Sequence, residues 1–159
     1  MAGEPPALGR REPVLLPLTP VRATLTRRIT FSAAHRYRRP EWDDARNIAA
    51  FGDCARPHWH GHTYVCDVTV GGPVDPLTGF SADLGALDRA LQARVVGALD
   101  HRNLVLDIPA FAEGKLIPTS ENLAWWIARE VQDALGSETR VLRVRLAEEP
   151  GLWAEVEPT

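Results

Sequence analysis

His60-Gly61-His62-Thr63-Tyr64-Val65-Cys66-Asp67-Val68-Thr69-Val70 alternates with the two-residue period of a β-strand. Tyr64, Cys66, Val68 and Val70 fall on one face, and the same face carries His60 and His62. A strand with an apolar row needs a partner of matching parity, and the sequence supplies one upstream. From Arg22 onward, Ala23, Leu25, Ile29, Phe31, Ala33 and His35 share a parity, with Arg27 the exception. Both strands carry histidine at the end nearest the segment between them, so pairing them brings His35, His60 and His62 together.

Outward from this pair the pattern turns helical. Residues 36–53 read as a long excursion holding a helical turn around Asp44–Ala50. The second strand is expected to stop at Gly71-Gly72-Pro73, with Asp75-Pro76-Leu77-Thr78-Gly79 as a turn. Leu84, Leu87, Leu91, Val95 and Leu99 step by three or four and predict one buried helical stripe, capped by Asp83. After a linker from Asn103 to Pro118, a second helix is capped by Thr119 or Ser120, buries Leu123, Ile127, Val131 and Leu135, and ends at Gly136. Two further strands follow. Leu142, Val144, Leu146 and Glu148 share a face of the third, Leu152, Ala154 and Val156 share a face of the fourth, and Gly151 turns between them. The order β-β-α-α-β-β predicts an α+β domain over 21–159, with two helices on one face of a four-stranded antiparallel sheet. Residues 1–20, with Pro5, Pro6, Pro13, Pro17 and Pro20, read as a flexible extension. The two edges of such a sheet invite pairing with further copies.

Composition limits the function. The 159 residues suit one domain, and no apolar run approaches the ~18–20 residues of a membrane span. The first residues lack the apolar stretch of a secretory signal, and Cys54 and Cys66 are too few for a disulfide scaffold, so a cytoplasmic protein is expected. Net charge is −3, and the basic residues, all Arg except Lys115, are scattered. That argues against nucleic acid as a partner and for an Arg-lined pocket taking one small polyanion.

The residues with chemistry cluster. In a strand His60 and His62 point the same way, and with His35 they offer three nitrogens to one cation, leaving a coordination position open. The bland alternative is three histidines without metal, with His58 as a fourth ligand or a spare group. Cys54 is a nucleophile, a base, a metal ligand or an inert thiol, and a nearby cation would raise its thiolate fraction. Cys66 reads as buried and inert. Asp100-His101 is either a proton-relaying pair or a histidine at a helix end. Glu148 is either a pocket carboxylate awaiting an N–H pair or a solvated strand end, and Glu149 has the solvent-facing parity.

In order and spacing, several segments resemble the 6-pyruvoyl-tetrahydropterin synthase family, which includes the bacterial 6-carboxy-tetrahydropterin synthases. They are Arg27-Arg28-Ile29-Thr30-Phe31-Ser32-Ala33-Ala34-His35, Phe51-Gly52-Asp53-Cys54, His60-Gly61-His62-Thr63-Tyr64, Asp75-Pro76-Leu77-Thr78-Gly79-Phe80, Leu99-Asp100-His101-Arg102-Asn103-Leu104, Pro118-Thr119-Ser120-Glu121-Asn122-Leu123 and Glu148-Glu149-Pro150. The resemblance implies the tunnelling (T-) fold, in which trimers close twelve strands into a barrel and two trimers stack into a homohexamer. It implies zinc on His35, His60 and His62, Cys54 as the proton-abstracting thiol with Asp100 and His101 as its partner pair, and Glu148 gripping the pterin edge. The substrate implied is 7,8-dihydroneopterin triphosphate, with Arg27, Arg28 and Arg36 as candidates for holding its phosphates. The expected reaction is a zinc-dependent lyase step giving 6-carboxy-tetrahydropterin, acetaldehyde and triphosphate for the queuosine pathway. The alternatives are the 6-pyruvoyl product or a non-catalytic pterin- or purine-binding protein on the same scaffold.

The sequence departs from the family pattern at Trp59, where a small residue is usual, and at His58, Ala147 and Glu149. Five residues separate Cys54 from His60, a spacing that resembles the pyruvoyl-type branch.

Overall fold

The computed structural model describes residues 21–158, so the extension expected at 1–20 lies outside the described residues. Strand β1 (Arg22–His35) pairs antiparallel with β2 (His60–Pro73) in a register that sets His35 opposite His60, Ala33 opposite His62 and Phe31 opposite Tyr64. Residues directly opposed across two strands share a face. The two apolar rows therefore merge into one, with the Phe31 and Tyr64 rings stacked 5.0 Å apart. β4 (Arg140–Glu149) pairs with β2, and β5 (Leu152–Val156) with β4, both antiparallel.

The sheet has five strands where four are expected. The fifth, β3 (Arg102–Asn103), is two residues long and lies parallel to β1 at Ala33 and Ala34, giving the order β3-β1-β2-β4-β5. It belongs to the segment read as a linker, which also folds a short helix α4 (Leu104–Asp107) and a 3-10 turn at Pro109–Phe111. Asn103 caps α4 by accepting from the amides of Val105 and Leu106.

Helix α1 (Asp44–Phe51) occupies the excursion between β1 and β2, capped by Asp43. Helix α2 (Leu84–Leu91) starts where Asp83 accepts from the Ala86 amide, then widens into a π-helical stretch, Gln92–Val96, before a last turn α3 (Gly97–Leu99). The widening explains the spacing of the stripe. Leu87, Leu91, Val95 and Leu99 step by fours, which drifts about 40° per step on a regular helix. The π turn, closed by the Gly97 amide on the Gln92 carbonyl, returns Val95 and Leu99 to the buried face. Leu84, expected in the stripe, is instead exposed in the first turn. Helix α5 (Ser120–Leu135) is capped by Thr119, and Gly136 (φ 67°) ends it. The Gln132 side chain donates to the Gly136 and Thr139 carbonyls and accepts from the Val141 amide, tying the helix end to β4.

Leu87, Leu91, Leu123 and Ile127 are buried against the Phe31–Tyr64–Cys66–Val68 row, Val144 and Leu146, forming one core between helices and sheet. Removing each such aliphatic group from water stabilises the fold by roughly 1.5–3 kcal/mol. β4 does not keep a single parity. A bulge between Thr69 and Val70 of the paired strand sets Val70 against Val141, so Val141 enters the core and Leu142 is only half-buried. Among the described residues no helix is long and apolar enough to cross a membrane.

β2 does not stop at the double glycine but continues through Gly71 and Gly72 to Pro73. A Cβ at Gly71 would sit 2.5 Å from the Ala23 carbonyl oxygen and 3.1 Å from Leu142 Cδ1, so glycine here admits close strand approach. Gly71→Ala is expected to lower unfolding free energy by about 1–3 kcal/mol, the usual range for overpacking, read from the urea midpoint.

Candidate metal centre and its surroundings

Where β1 ends and β2 begins, the three imidazoles meet. Their ring centroids are 4.5 Å apart for His35 and His60, 5.0 Å for His35 and His62, and 5.1 Å for His60 and His62. His35 is fully buried, its Nε2 2.9 Å from Nε2 of His60 and its Nδ1 3.0 Å from the Tyr64 hydroxyl. Burial first, then His60 and His62, lower the His35 pKa to about 3, so the ring is neutral and offers a lone pair. Burial and His62 also lower that of His60.

Two overlapping groups of donor atoms share His35. One is His35, Cys54 and His60, the other His35, His62 and Glu148, each with its donor atoms within 4.8 Å of one another. His62 Nε2 is buried with no hydrogen-bond partner, and the nearest carboxylate oxygen, of Glu148, lies 3.9 Å away. Leaving such an atom unanswered costs about 1–3 kcal/mol, which a bound cation offsets. Neutral imidazoles, an orphaned nitrogen and an adjacent thiol and carboxylate form a donor set that fits a divalent transition metal.

Cys54 sits in the 3-10 turn Gly52–Ala55 after α1, partly exposed, its carbonyl accepting from the Tyr37 amide. Burial, then Glu148 and Asp53, push its pKa up, keeping the thiol protonated. Cys66 behaves as read, buried in the core with its pKa pushed up to about 12. Glu148 accepts from Ser120 Oγ at 2.6 Å, and its side chain is 11% exposed, so it is not a solvated strand end. Glu149 is exposed.

Asp100 and His101 do form a pair, His101 Nδ1 lying 2.9 Å from Asp100 Oδ2. Asp100 Oδ1 accepts from the Ser32 amide, and this bond, then His101, lowers the Asp100 pKa. The pair belongs to neither donor group, although the groove that His101 lines also takes in His62. The His101 side chain is 84% exposed on the edge of β1, over a shallow groove that includes Ser32, Thr63, Asn103 and Asp107.

His58 is exposed and outside both donor groups. The alternation that groups it with His60 fails because Trp59 has φ 40° and the strand begins only at His60. A bulky residue in the left-handed region stores on the order of 1–2 kcal/mol of strain. Arg27 and Arg28, candidates for holding phosphates, are engaged elsewhere, Arg27 with Asp88 and Arg28 with Asp67.

Sequence reasoning passes over Tyr37, Tyr64 and Ser120. Tyr37 packs on His35 with centroids 4.7 Å apart. Tyr37 and Tyr64 each stand two residues beyond a histidine of the cluster, so continued alternation is the signal that could have found them.

The model of the family described as 6-pyruvoyl tetrahydropterin synthase matches residues 24–159. A 6-pyruvoyl tetrahydrobiopterin synthase of Homo sapiens is 40% identical over 113 residues, covering 71% of this protein and 77% of that one. One of Drosophila melanogaster is 39% identical over 128 residues, covering 80% and 75%. The structure of Caenorhabditis elegans 6-pyruvoyl tetrahydropterin synthase superposes with a TM-score of 0.81 at 32% identity, covering 87% of this protein and 97% of that one.

Between pH 6.5 and 3 an unfolded His35 binds a proton that the folded ring excludes. Stability of the metal-free protein should therefore fall as pH drops through this window, by at most about 1.4 kcal/mol per unit from this residue. His35→Gln should flatten the slope, measured by urea unfolding at pH 5 and 7.

Proposed function

We propose that this protein, which belongs to the 6-pyruvoyl tetrahydropterin synthase family, makes 6-pyruvoyl-tetrahydropterin from 7,8-dihydroneopterin triphosphate, releasing triphosphate. As a member of this family it is a carbon–oxygen lyase. The observation that carries the reading is the convergence of His60, His62, Cys54 and Glu148 on one buried neutral imidazole, His35. The pyruvoyl product takes precedence over the carboxy product expected from sequence because the human and fly relatives carry the pyruvoyl name over most of the sequence. The five-residue step from Cys54 to His60 supports the same branch.

In this reading His35, His60 and His62 hold zinc, and Tyr64 fixes the His35 ring through Nδ1. The metal supplies Lewis acidity to the oxygenated substituent of the substrate. Glu148, held by Ser120, accepts from the 2-amino and ring N–H edge of the pterin. Burial is the first cause of the raised Cys54 pKa, and that pairing offsets the part that comes from the Glu148 charge. Cys54 then takes the proton from the substituent carbon next to the ring, and that electron pair passes into the ring C=N, which a protonated His101, oriented by Asp100, supplies with a proton. A second proton is then lost from the next carbon, and its electron pair expels triphosphate to leave an enol that becomes the carbonyl.

His101 reaches this substrate across a junction between copies. β1, β2, β4 and β5 alternate in direction, so β1 and β5 run oppositely. Pairing the open edge of β1 with β5 of a neighbouring copy continues the antiparallel order into a trimeric barrel, two of which form the hexamer. It sets Asp100–His101 beside the neighbour's β4–β5 turn, the end of the sheet that carries Glu148. Both cysteines are free, as a reducing cytoplasm requires.

Incubation with 7,8-dihydroneopterin triphosphate, read by mass spectrometry, should show the pyruvoyl compound and triphosphate. Acetaldehyde would indicate the carboxy product, and tight binding without triphosphate release a binding protein. Cys54→Ala should keep the metal and lose about 10²–10⁴-fold in turnover, whereas His60→Ala should lose both. Metal analysis beside the assay separates the two.

A further inference from the structure

A second cavity, of about 250 Å³, lies beside the segments that carry the histidine cluster. Its lining includes Arg36, which follows His35 in sequence, Trp59, which precedes His60, and Pro118, whose carbonyl is close enough to the His35 ring to favour its charged form. The volume is below the ~300–1,000 Å³ of a whole-ligand site and suits one portion of a larger molecule.

Its charge is lopsided. Arg36, Arg38 and Lys115 line it against the single carboxylate of Glu113. Arg38 is answered by Asp44 at 2.7 Å and approached by Glu113 at 3.9 Å. Among the described residues Arg36 and Lys115 make no ion pair, and Arg36 spends only its Nε on the Ala55 carbonyl. Asp44 feels the charge of Arg36 without pairing with it, so the half-enclosed hollow keeps a net positive charge, which attracts a polyanion more strongly than the same charge on open surface. The fourth wall is the Trp59 indole, held by a strained left-handed backbone that glycine would adopt freely.

We infer that Arg36 and Lys115, walled by Trp59, form the subsite for the triphosphate of the substrate, and this rests on the function proposed above. Arg38 completes the ring of donors while remaining tied to Asp44. Trp59 excludes water from one side of the phosphates, which strengthens the charge-assisted hydrogen bonds on the other. The reacting substituent then lies between the metal cluster and this hollow, with its leaving group already in a basic cradle.

The test is calorimetric titration of the full-length, metal-loaded protein with magnesium tripolyphosphate, the magnesium preventing removal of the bound metal, with orthophosphate as a second titrant. Tripolyphosphate should bind more tightly than orthophosphate. Arg36→Gln and Lys115→Gln should each weaken it about tenfold, the size expected for one charge-assisted contact. Trp59→Gly should weaken it several-fold without lowering the Tm, and Arg28→Gln, on a residue paired with Asp67, should leave it unchanged. Lys115 makes no side-chain hydrogen bond among the described residues, so its variant is the one least disturbed in folding. Wild-type tripolyphosphate affinity in both Arg36→Gln and Lys115→Gln overturns the assignment, as does no binding to the wild type. Turnover separates the two proposals. Unchanged KM in these variants removes the subsite and leaves the lyase reading standing, whereas absent turnover with charge-dependent tripolyphosphate binding does the reverse.

Discussion

A neutral imidazole in a place where it cannot be charged is the constraint on which this molecule turns. His35 is the last residue of β1, fully buried, bonded to Tyr64 on one nitrogen and facing His60 on the other. Its position follows from the register of two strands, and the register follows from an apolar row that must face the core. A slip of β1 by one residue would turn Phe31 and His35 outward together. The placement of the three imidazoles and core packing are therefore linked. The interactions that bury Leu87 and Ile127 also hold three nitrogens at the rim of the sheet.

Around that centre the charges are distributed by distance. Glu148 lies close enough to raise the Cys54 pKa and is itself held by Ser120. Asp100 and His101, also an acid–imidazole pair, stand on the sheet edge, where Ser32 anchors the carboxylate. The basic residues separate likewise. Arg27 and Arg28 are spent on Asp88 and Asp67, whereas Arg36, one residue beyond the buried histidine, has no acidic partner among the described residues.

Alternation and helical spacing make most of the fold legible, because both strands of the central pair carry apolar rows and both long helices have clear caps. The failures each have a local cause. β3 is too short to leave a period, and its place beside Ala33 depends on tertiary pairing. Leu142 loses its expected face to a bulge, an event that alternation in one strand cannot register. His58 shares the parity of His60, and nothing in a Pro-His-Trp-His run announces the left-handed turn at Trp59. The metal-ligating types are readable from spacing, but the neutral state of His35, the raised Cys54 thiol and the support of Glu148 by Ser120 depend on burial and on groups distant in sequence.

The brevity of β3 governs more than the strand count. It lies parallel to β1 at Ala33 and Ala34, and with Ser32 bonded to Asp100 and His101 the border before Ser32 has no neighbouring strand among the described residues. Had the segment after His101 run on as a full-length ribbon in the same parallel sense, it would have covered that border and become the edge itself. A two-residue stub instead acts as a doorstop, pinning His101 in place while β1 remains the edge along most of its length.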